Sequence, residues 1–236
     1  MKVICGDREQ NAILYNGADS ELSLHKQRFY AGLENLEVLD LGCGTGGAAR
    51  YLQPFGNKVS GINSSEQEAV IARGVMGEVM VADLDALTEL PFASDRFDVV
   101  LLGDILEHLK YPFTLLKAIR TVLKPGGRIY VSLPNVANVK VRLNLLFGRF
   151  EYEHAGIMDM THLRFFTRAT VREMVEQAGY DIQRESFSNW NWTLLPLGLL
   201  RVLRMRRAEQ MVRNVLTALV PGLFATQIML VATRKN

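Results

Sequence analysis

Short apolar runs alternate with longer helical patterns along most of the chain, and this alternation constrains the fold more than any other feature. Runs at 37–41, 58–62, 78–81, 97–102 and 128–133 have the length and apolar content of buried strands. Helical patterns lie at about 46–53, 65–73, 113–123 and 167–178, and two more strands are expected at about 180–187 and 226–231. Such alternation predicts an α/β fold, with a largely parallel sheet covered by helices on both faces.

The composition suits an enzyme-sized globular domain and excludes several other classes. The chain has 236 residues, of which 48% are hydrophobic and 22% charged, so it can bury a substantial core. These values exclude a disordered chain, a collagen-like repeat and a disulfide scaffold. A net charge of +2 gives no electrostatic reason to expect nucleic acid as a partner.

The cysteines and the first residues bear on the cellular compartment. Only Cys5 and Cys43 occur, without a CxxC pair, so neither structural zinc nor an oxidising compartment is expected. Residues 1–10 lack the apolar run of a signal peptide. We therefore expect a cytoplasmic protein.

A glycine-rich turn follows the first predicted strand. Gly42, Gly44 and Gly47 fit the pattern GxGxxG, and Gly42, Gly44 and Gly46 fit GxGxG. Glycines at these positions let the chain turn sharply from strand to helix and bring backbone amides against a ligand. Because a strand precedes this turn and a helix follows it, the turn predicts a cofactor site.

Two acidic residues indicate which cofactor this is. Asp40 lies two residues before Gly42, where a carboxylate disfavours a pyrophosphate and favours a ligand with a cationic end, such as the amino group of a methionine moiety. Asp83 follows the third strand. A carboxylate there can accept a hydrogen bond from an adenine amine or, alternatively, cap a turn.

Several motifs occur in the order typical of class I S-adenosylmethionine-dependent methyltransferases, and the chain resembles that family. They are VLDLGCGTG at 38–46, Asp83, FDVV at 97–100 and LKPGG at 123–127. The resemblance implies a Rossmann-like seven-stranded sheet in the order 3-2-1-4-5-7-6, with the last strand antiparallel. It also implies S-adenosylmethionine as cofactor and S-adenosylhomocysteine as product, with the glycine turn holding the methionyl part and Asp83 the adenine.

One position departs from that family. An acid usually ends the second strand and contacts both ribose hydroxyls, whereas Asn63 stands there in this chain. An amide both donates and accepts hydrogen bonds, so we expect the contact to persist with weaker cofactor binding. The residues expected to bind the cofactor are Asp40, Gly42, Cys43, Gly44, Gly46, Asn63, Ser64, Asp83, Leu84, Gly103 and Asp104.

A narrower resemblance is to bacterial methyltransferases associated with methionine biosynthesis and with glycan or polyketide pathway genes. It rests on LEHL at 106–109, SLPN at 132–135, FGRF at 147–150 and DMTHLRFFT at 159–167. It implies a small-molecule, glycan or lipid-linked acceptor. We favour methylation at oxygen over nitrogen.

Candidate catalytic residues lie near the expected carboxyl ends of the strands, where open α/β sheets bind ligands. Glu107 and His108 follow the fourth strand and act as a base or acceptor contact, or else pack the start of a helix. His162 is the second candidate base. Two adjacent ligands make a weak metal signal, so no metal is expected. His25 lies in a helical pattern before the glycine turn. It either lines an amino-terminal helix that covers the cofactor or, in the simpler interpretation, lies on a surface helix.

The segment 149–166 follows the fifth strand, where the fold usually places acceptor-binding insertions. His154, Asp159 and Arg164 are its expected acceptor-binding residues, beside aromatic side chains that suit an anionic or hydroxylated ligand. The alternative is a surface loop pinned by a contact from Asp159 to His162 or Arg164.

We expect one methyltransferase domain over residues 1–236, with three additions. These are a helical cover (about 8–33), an acceptor-side insertion (about 134–166) and a basic, apolar insertion (about 189–222).

Residues 190–221 contain five arginines, one acid and many leucines. The part at 190–213 either contacts a membrane peripherally, with arginines against anionic lipid, or forms a lid over the acceptor or an oligomer face. The uncharged stretch 214–233 predicts a helix, a turn and a buried strand rather than a membrane span.

Two alternative functions stay open. The pattern GxGxxG also occurs in nicotinamide-dependent oxidoreductases. A cofactor-binding regulator or partner protein without turnover is the second alternative, because Asn63 departs from the family and the base is not fixed.

Overall fold

A twisted seven-stranded sheet organises the computed structural model, which describes residues 22–189 and 206–235. The strands are Glu37–Leu41 (β1), Lys58–Asn63 (β2), Glu78–Val81 (β3), Phe97–Gly103 (β4), Leu123–Pro134 (β5), Tyr180–Ser188 (β6) and Gln227–Arg234 (β7). Their order in the sheet is β3-β2-β1-β4-β5-β7-β6. The first five strands pair in parallel, and β7 is antiparallel to both β5 and β6. The predicted fold class and strand order are confirmed.

Helices cover the sheet on both faces. They are Leu24–Tyr30 (α1), Gly47–Leu52 (α2), Glu66–Ala72 (α3), Pro112–Val122 (α4), Val139–Leu146 (α5), Arg168–Gln177 (α6), Arg206–Leu219 (α7) and Pro221–Phe224 (α8). Short 3₁₀ turns lie at Gln53–Phe55 and Leu106–His108. The predicted helices between strands are present within a few residues, whereas α5 was not predicted. The uncharged stretch forms the end of α7, then α8 and β7, as predicted.

Side-chain capping and proline set several helix starts. The Ser65 hydroxyl accepts a hydrogen bond from the Glu68 backbone N–H and begins α3. Thr167 and Thr170 form a reciprocal capping box at the start of α6. Pro112 occupies the first turn of α4, where its missing N–H costs no helical hydrogen bond.

The fifth strand begins earlier than predicted. The sequence predicts a strand from residue 128 and a turn at Pro125-Gly126-Gly127 before it, but Phe97 already pairs with Leu123, and Val99 pairs with Arg128. Residues 124–127 therefore bulge out of the pairing between β4 and β5. Gly126 has a φ of 74°, which a residue with a side chain adopts only with strain.

The core forms two layers, one on each face of the sheet. Val100 and Leu102 of β4 belong to one buried cluster, whereas Val99 and Leu101 belong to the other. Because side chains alternate between the faces of a strand, the continuous apolar run in β4 is what a strand covered on both faces requires. Within residues 22–189 and 206–235, none of the helices combines the length and apolar character that a membrane crossing needs.

Buried Asn57 ties the cover helix region to the first strand. Its Nδ2 donates to the carbonyls of Leu33 and Leu52, at 2.7 and 2.9 Å, and its Oδ1 accepts from the Leu36 N–H at 3.1 Å. One amide thus satisfies three backbone groups that would otherwise lack partners. These contacts fix the path of the chain from α1 into β1.

We predict that Asn57→Ala lowers the free energy of unfolding by about 2–4 kcal/mol, because it leaves buried backbone groups without hydrogen bonds. Urea denaturation measures the change. The exposed Gln177→Ala provides a control that should stay within about 0.5 kcal/mol of wild type. An Asn57→Ala protein as stable as this control would contradict the role of the amide.

Candidate active site

The loop between β1 and α2 has the geometry of a ligand cradle. Gly42, Gly44 and Gly46 have φ values of 75°, 52° and 87°, all in the left-handed region that favours glycine. A Cβ atom on Gly42 would lie 2.7 Å from Cδ1 of Ile105, so a side chain there would collide with the loop after β4. Around Gly44 the space is open, which leaves backbone accessible to a ligand.

A cavity of about 420 Å³ lies over this loop at the carboxyl ends of β1 and β4. Six of the residues expected to bind the cofactor line it: Asp40, Gly42, Cys43, Gly44, Gly103 and Asp104. Helix α1 forms the opposite wall with His25, Lys26 and Tyr30. A Cβ on Gly103 would lie 3.0 Å from the Tyr30 hydroxyl, so glycine there lets α1 approach the sheet closely.

Asp40 places a buried carboxyl group in this cavity. Burial raises its pKa to about 6, against the opposing effect of the Lys26 cation. A carboxylate that is poorly solvated gains most from a cationic ligand group. Asp40 therefore suits the ammonium or sulfonium of S-adenosylmethionine and would repel a pyrophosphate.

The neighbouring thiol is not a nucleophile. Burial, together with the Asp40 carboxylate, raises the pKa of Cys43 to about 12. The side chain packs closely on β2, since a Cβ on Gly61 would lie 2.8 Å from its Sγ. Cys43 is therefore a small packing residue of the cradle.

An ion pair joins α1 to the end of β4. Lys26 Nζ lies 2.8 Å from Asp104 Oδ2 and 3.3 Å from the Gly103 carbonyl oxygen. Ser132 and Gln227 donate to Asp104 Oδ1 at 2.8 and 2.5 Å. Burial alone would raise the pKa of Asp104, but these three partners together hold it below its ordinary value. Asp104 also has a φ of 62°, uncommon for a residue with a side chain.

Sequence reasoning missed Lys26, Ser132 and Gln227 as site residues. Lys26 and Asp104 are far apart in sequence, and no local pattern reports such a pairing. His25 was considered only as a possible lining of a cover. In the structure, His25 lines the cavity, and burial lowers its pKa more than the nearby Asp104 carboxylate raises it.

The end of β2 combines an amide with an acid. Asn63 is buried, and its Nδ2 donates to Glu68 Oε2 at 2.7 Å. Glu68 thus supplies the carboxylate that the strand end lacks, a partner that sequence reasoning did not name. The spacing Ser65-x-x-Glu68 is that of a capping box, a signal that could have drawn attention to Glu68. Ser64 is exposed beside it.

The predicted adenine contacts occupy the end of β3. Asp83 is exposed, and its Oδ1 accepts a hydrogen bond from the Asp85 N–H at 3.0 Å, which is the alternative turn-capping contact. Leu84 is buried in the core. Their roles toward adenine stay predictions.

The residues present fit S-adenosylmethionine. The open space at Gly44 would accommodate the methionyl part of the cofactor, and the Asp40 carboxylate would pair with its cationic end. Asn63 with Glu68 would hold the ribose, and Asp83 would hold the adenine. The bound cofactor would supply an electrophilic methyl group.

The three predicted catalytic residues form a separate, compact cluster after β4. The rings of His108 and His162 lie 4.8 Å apart between centroids, and His162 Nε2 is 4.0 Å from Glu107 Oε1. Burial, reinforced by the Asp104 charge, raises the pKa of Glu107 well above its ordinary value. Burial also lowers the pKa of His162. None of the three is among the described residues that line the 420 Å³ cavity.

This cluster offers ligand atoms for a divalent cation. One atom from each of Glu107, His108 and His162 lies within 4.8 Å of the others. Without a cation, burial favours the protonated, uncharged form of the Glu107 carboxyl. The expectation that no metal binds stays a prediction.

The predicted acceptor-binding residues take up three different environments. Asp159 is buried, and its Oδ1 accepts from the backbone N–H and hydroxyl of Thr161 at 2.8 and 2.6 Å. Arg164 is exposed and donates to the Lys110 carbonyl at 2.9 Å. His154 is exposed on the surface. A cavity of about 370 Å³ in the same insertion is lined by Lys140, Arg149, Phe150 and Tyr152.

The basic insertion is described only in part. Residues 190–205, which include both tryptophans, lie outside the described residues. Helix α7 exposes Met211, Val215 and Leu219. Peripheral membrane contact through 190–213 stays a prediction, and so do the lid and the oligomer face.

The fold and the cradle together define a class I methyltransferase that uses S-adenosylmethionine. Residues 17–185 match the sequence profile of the family described as "Methyltransferase domain". This match extends over well more than half of the chain. The chain belongs to this methyltransferase family, and its cofactor is S-adenosylmethionine.

Relatives and solved structures agree with this membership. The chain is 33% identical over 156 residues to a ubiquinone biosynthesis O-methyltransferase of Aeromonas salmonicida, covering 63% of this chain and 64% of that enzyme. It is 29% identical over 178 residues to the enzyme of the same name from Nitrosococcus oceani, covering 72% and 74%. A SAM-dependent methyltransferase from Archaeoglobus fulgidus shares the fold, with a TM-score of 0.59, 18% identity, and coverage of 97% and 95%.

We predict that the affinity for S-adenosylhomocysteine falls about tenfold between pH 7.5 and pH 5, because Asp40 gains a proton as the pH drops through its pKa of about 6. Calorimetric titration at several pH values measures this. In Asp40→Asn the affinity should be lower and flat over the same range. A wild-type profile without pH dependence would mean that Asp40 does not face the ammonium.

We also predict that Glu68→Ala weakens S-adenosylhomocysteine binding about five- to tenfold, because Asn63 loses the charged partner that orients its amide. Glu68→Gln preserves a hydrogen bond to Asn63 and should cost less. The same titration compares the two variants. Unchanged affinity in Glu68→Ala would place the ribose away from Asn63.

Proposed function

We propose that this chain transfers a methyl group from S-adenosylmethionine to an oxygen of a hydroxylated small molecule. The observation that carries the proposal is the cavity that Asp40 and the glycine turn share with His25 and Lys26 of α1. The names of the Aeromonas and Nitrosococcus relatives, both O-methyltransferases, support methylation at oxygen. These names favour a small-molecule acceptor over the glycan acceptor that the narrower resemblance implied.

For methyl transfer to oxygen, the protein must align the acceptor with the donor, exclude water from the site and provide a base. The acceptor oxygen must lie in line with the donor's S–CH₃ bond, and correct alignment supplies a large share of the rate acceleration. Helix α1, fastened by Lys26 to Asp104, would exclude water from this position. A phenol or alcohol must also lose its proton as the new bond forms.

His25 is the base that the geometry favours. Its ring lines the cofactor cavity, and its lowered pKa keeps it neutral and able to accept a proton near pH 7. His108, His162 and Glu107 remain alternative candidates, because Glu107 and His108 follow β4 and His162 packs against both. In their case the acceptor would have to enter from the side of the segment 159–164.

Because the chain belongs to the methyltransferase family, the alternative function of a nicotinamide-dependent oxidoreductase is excluded. The experiment below distinguishes an active enzyme from a cofactor-binding regulator without turnover. The chain spans 64% of the Aeromonas relative's length, so the acceptor is inferred from the cavity as much as from that name.

We predict methyl transfer from isotopically labelled S-adenosylmethionine to a component of a bacterial small-molecule extract, with His25→Gln at least about a hundredfold slower than wild type. His108→Gln and His162→Gln are the matched comparisons and should retain most of the rate. S-adenosylhomocysteine binding should persist in all three variants. Tight cofactor binding without transfer to any component would instead support the regulator, and loss confined to His108→Gln or His162→Gln would move the base to their cluster.

A further inference from the structure

A second and larger cavity, of about 940 Å³, adjoins the cofactor cavity. His25 lines both cavities, so it stands where they meet. The larger cavity lies between α1, the end of β6 and helix α7. Its volume suits a small molecule of several rings or sugar units. A ligand bound there would reach the cofactor cavity past His25.

Helix α7 turns its polar face toward this cavity. Gln210, Arg213, Asn214 and Thr217 line it and follow one another at the spacing of a single helical face. The opposite face exposes Met211, Val215 and Leu219, at 69%, 48% and 72%. A surface helix normally buries its apolar face, so this inverted arrangement indicates a cavity built for a polar ligand.

Hydrogen bonds hold the polar wall in place. Asn189 Nδ2 donates to Asn214 Oδ1 at 3.2 Å and to Thr217 Oγ1 at 3.1 Å. Gln210 Nε2 donates to Asn214 Oδ1 at 3.0 Å. Ser188 also lines the cavity, and its buried Oγ has no hydrogen-bond partner among the described residues. A buried hydroxyl without a partner is costly unless a ligand or water completes it.

The charge of the cavity wall is positive. Arg28 from α1, Arg184 from β6 and Arg213 from α7 all line it, and no aspartate or glutamate is among its described lining residues. Arg184 is oriented by its hydrogen bond to the Phe29 carbonyl at 3.3 Å and lies 5.8 Å from the centre of the Phe29 ring. Arginines from three elements that line one cavity match a ligand with a carboxylate or phosphate group.

We propose that this cavity is the acceptor chamber, and that the acceptor carries an anionic group, carboxylate or phosphate, which Arg28, Arg184 and Arg213 bind. The inference rests on the proposed function. With the anion held there, the acceptor hydroxyl reaches the cofactor cavity beside His25. His25 takes the hydroxyl proton, the oxygen forms the new bond to the methyl carbon, and the S–CH₃ bond breaks with its electron pair left on sulfur. The proton then passes from His25 to water.

Calorimetry on the full chain saturated with S-adenosylhomocysteine tests the chamber without turnover. The probes are 3,4-dihydroxybenzoate and 4-hydroxyphenyl phosphate, with the neutral 3,4-dihydroxybenzamide as their control. We expect at least one anionic probe to bind wild type at least about tenfold more tightly than the amide. Arg184→Gln and Arg213→Gln should each lose about tenfold of that affinity, and Arg184→Lys should lose less. Arg73→Gln, whose side chain pairs with Glu66 on the surface, is the matched control.

The outcomes separate the chamber from the proposed function. The inference is supported if wild type and Arg73→Gln bind an anionic probe more tightly than the amide, whereas Arg184→Gln and Arg213→Gln lose this preference. This result would support the inference whether or not methyl transfer is detected. If carboxylate alone or phosphate alone shows this preference, that result identifies the anionic group. Equal binding of the amide and both anions, or anion binding unchanged in Arg184→Gln and Arg213→Gln, overturns it. Failure of wild type to bind S-adenosylhomocysteine at the outset would contradict the proposed function itself.

Discussion

The ion pair between Lys26 and Asp104 is the interaction on which the site depends. It fastens α1 over the carboxyl ends of β1 and β4, together with the buried side chains of Phe29 and Tyr30. The pair is partly buried, with 18% of the Lys26 side chain and 33% of the Asp104 side chain exposed, and Ser132 and Gln227 add hydrogen bonds that stabilise the Asp104 carboxylate. Because β7 contributes Gln227, the antiparallel strand at the end of the chain helps to build a site whose cradle lies near its beginning.

The same helix gives the two cavities different electrostatic characters. On the cofactor side, Lys26 offsets the charge of Asp104, and the Asp40 carboxylate provides the negative group that suits a sulfonium and an ammonium. On the other side, arginines from α1, β6 and α7 provide a positive one. His25 stands between them. A cationic donor and an anionic acceptor would therefore each be drawn to its own cavity, with their reacting groups directed toward one another.

Much of the fold could be predicted because its signals are local. The apolar runs of β1 to β4, and the glycines after Leu41, report burial and turn geometry within a few residues. The start of β5 was missed because a bulge at 124–127 resembles a turn in sequence. Two contacts could not be predicted from any local pattern, because each joins residues that are distant in sequence. They are the ion pair of Lys26 with Asp104 and the hydrogen bond of Arg184 to the Phe29 carbonyl. The inward direction of the polar face of α7 is also set by the tertiary structure, and an amphipathic pattern alone does not predict it.

A crystal structure of the complex with S-adenosylhomocysteine tests the central claim most directly. A base that serves an acceptor oxygen in line with the methyl group must lie within roughly 8 Å of the donor sulfur, the sum of the S–CH₃ bond, a reacting contact and a hydrogen bond. The account predicts that the His25 ring meets this condition, with α1 still paired to Asp104 and the ligand ammonium against Asp40. A complex in which the sulfur faces His108 or His162, with α1 displaced, would contradict it.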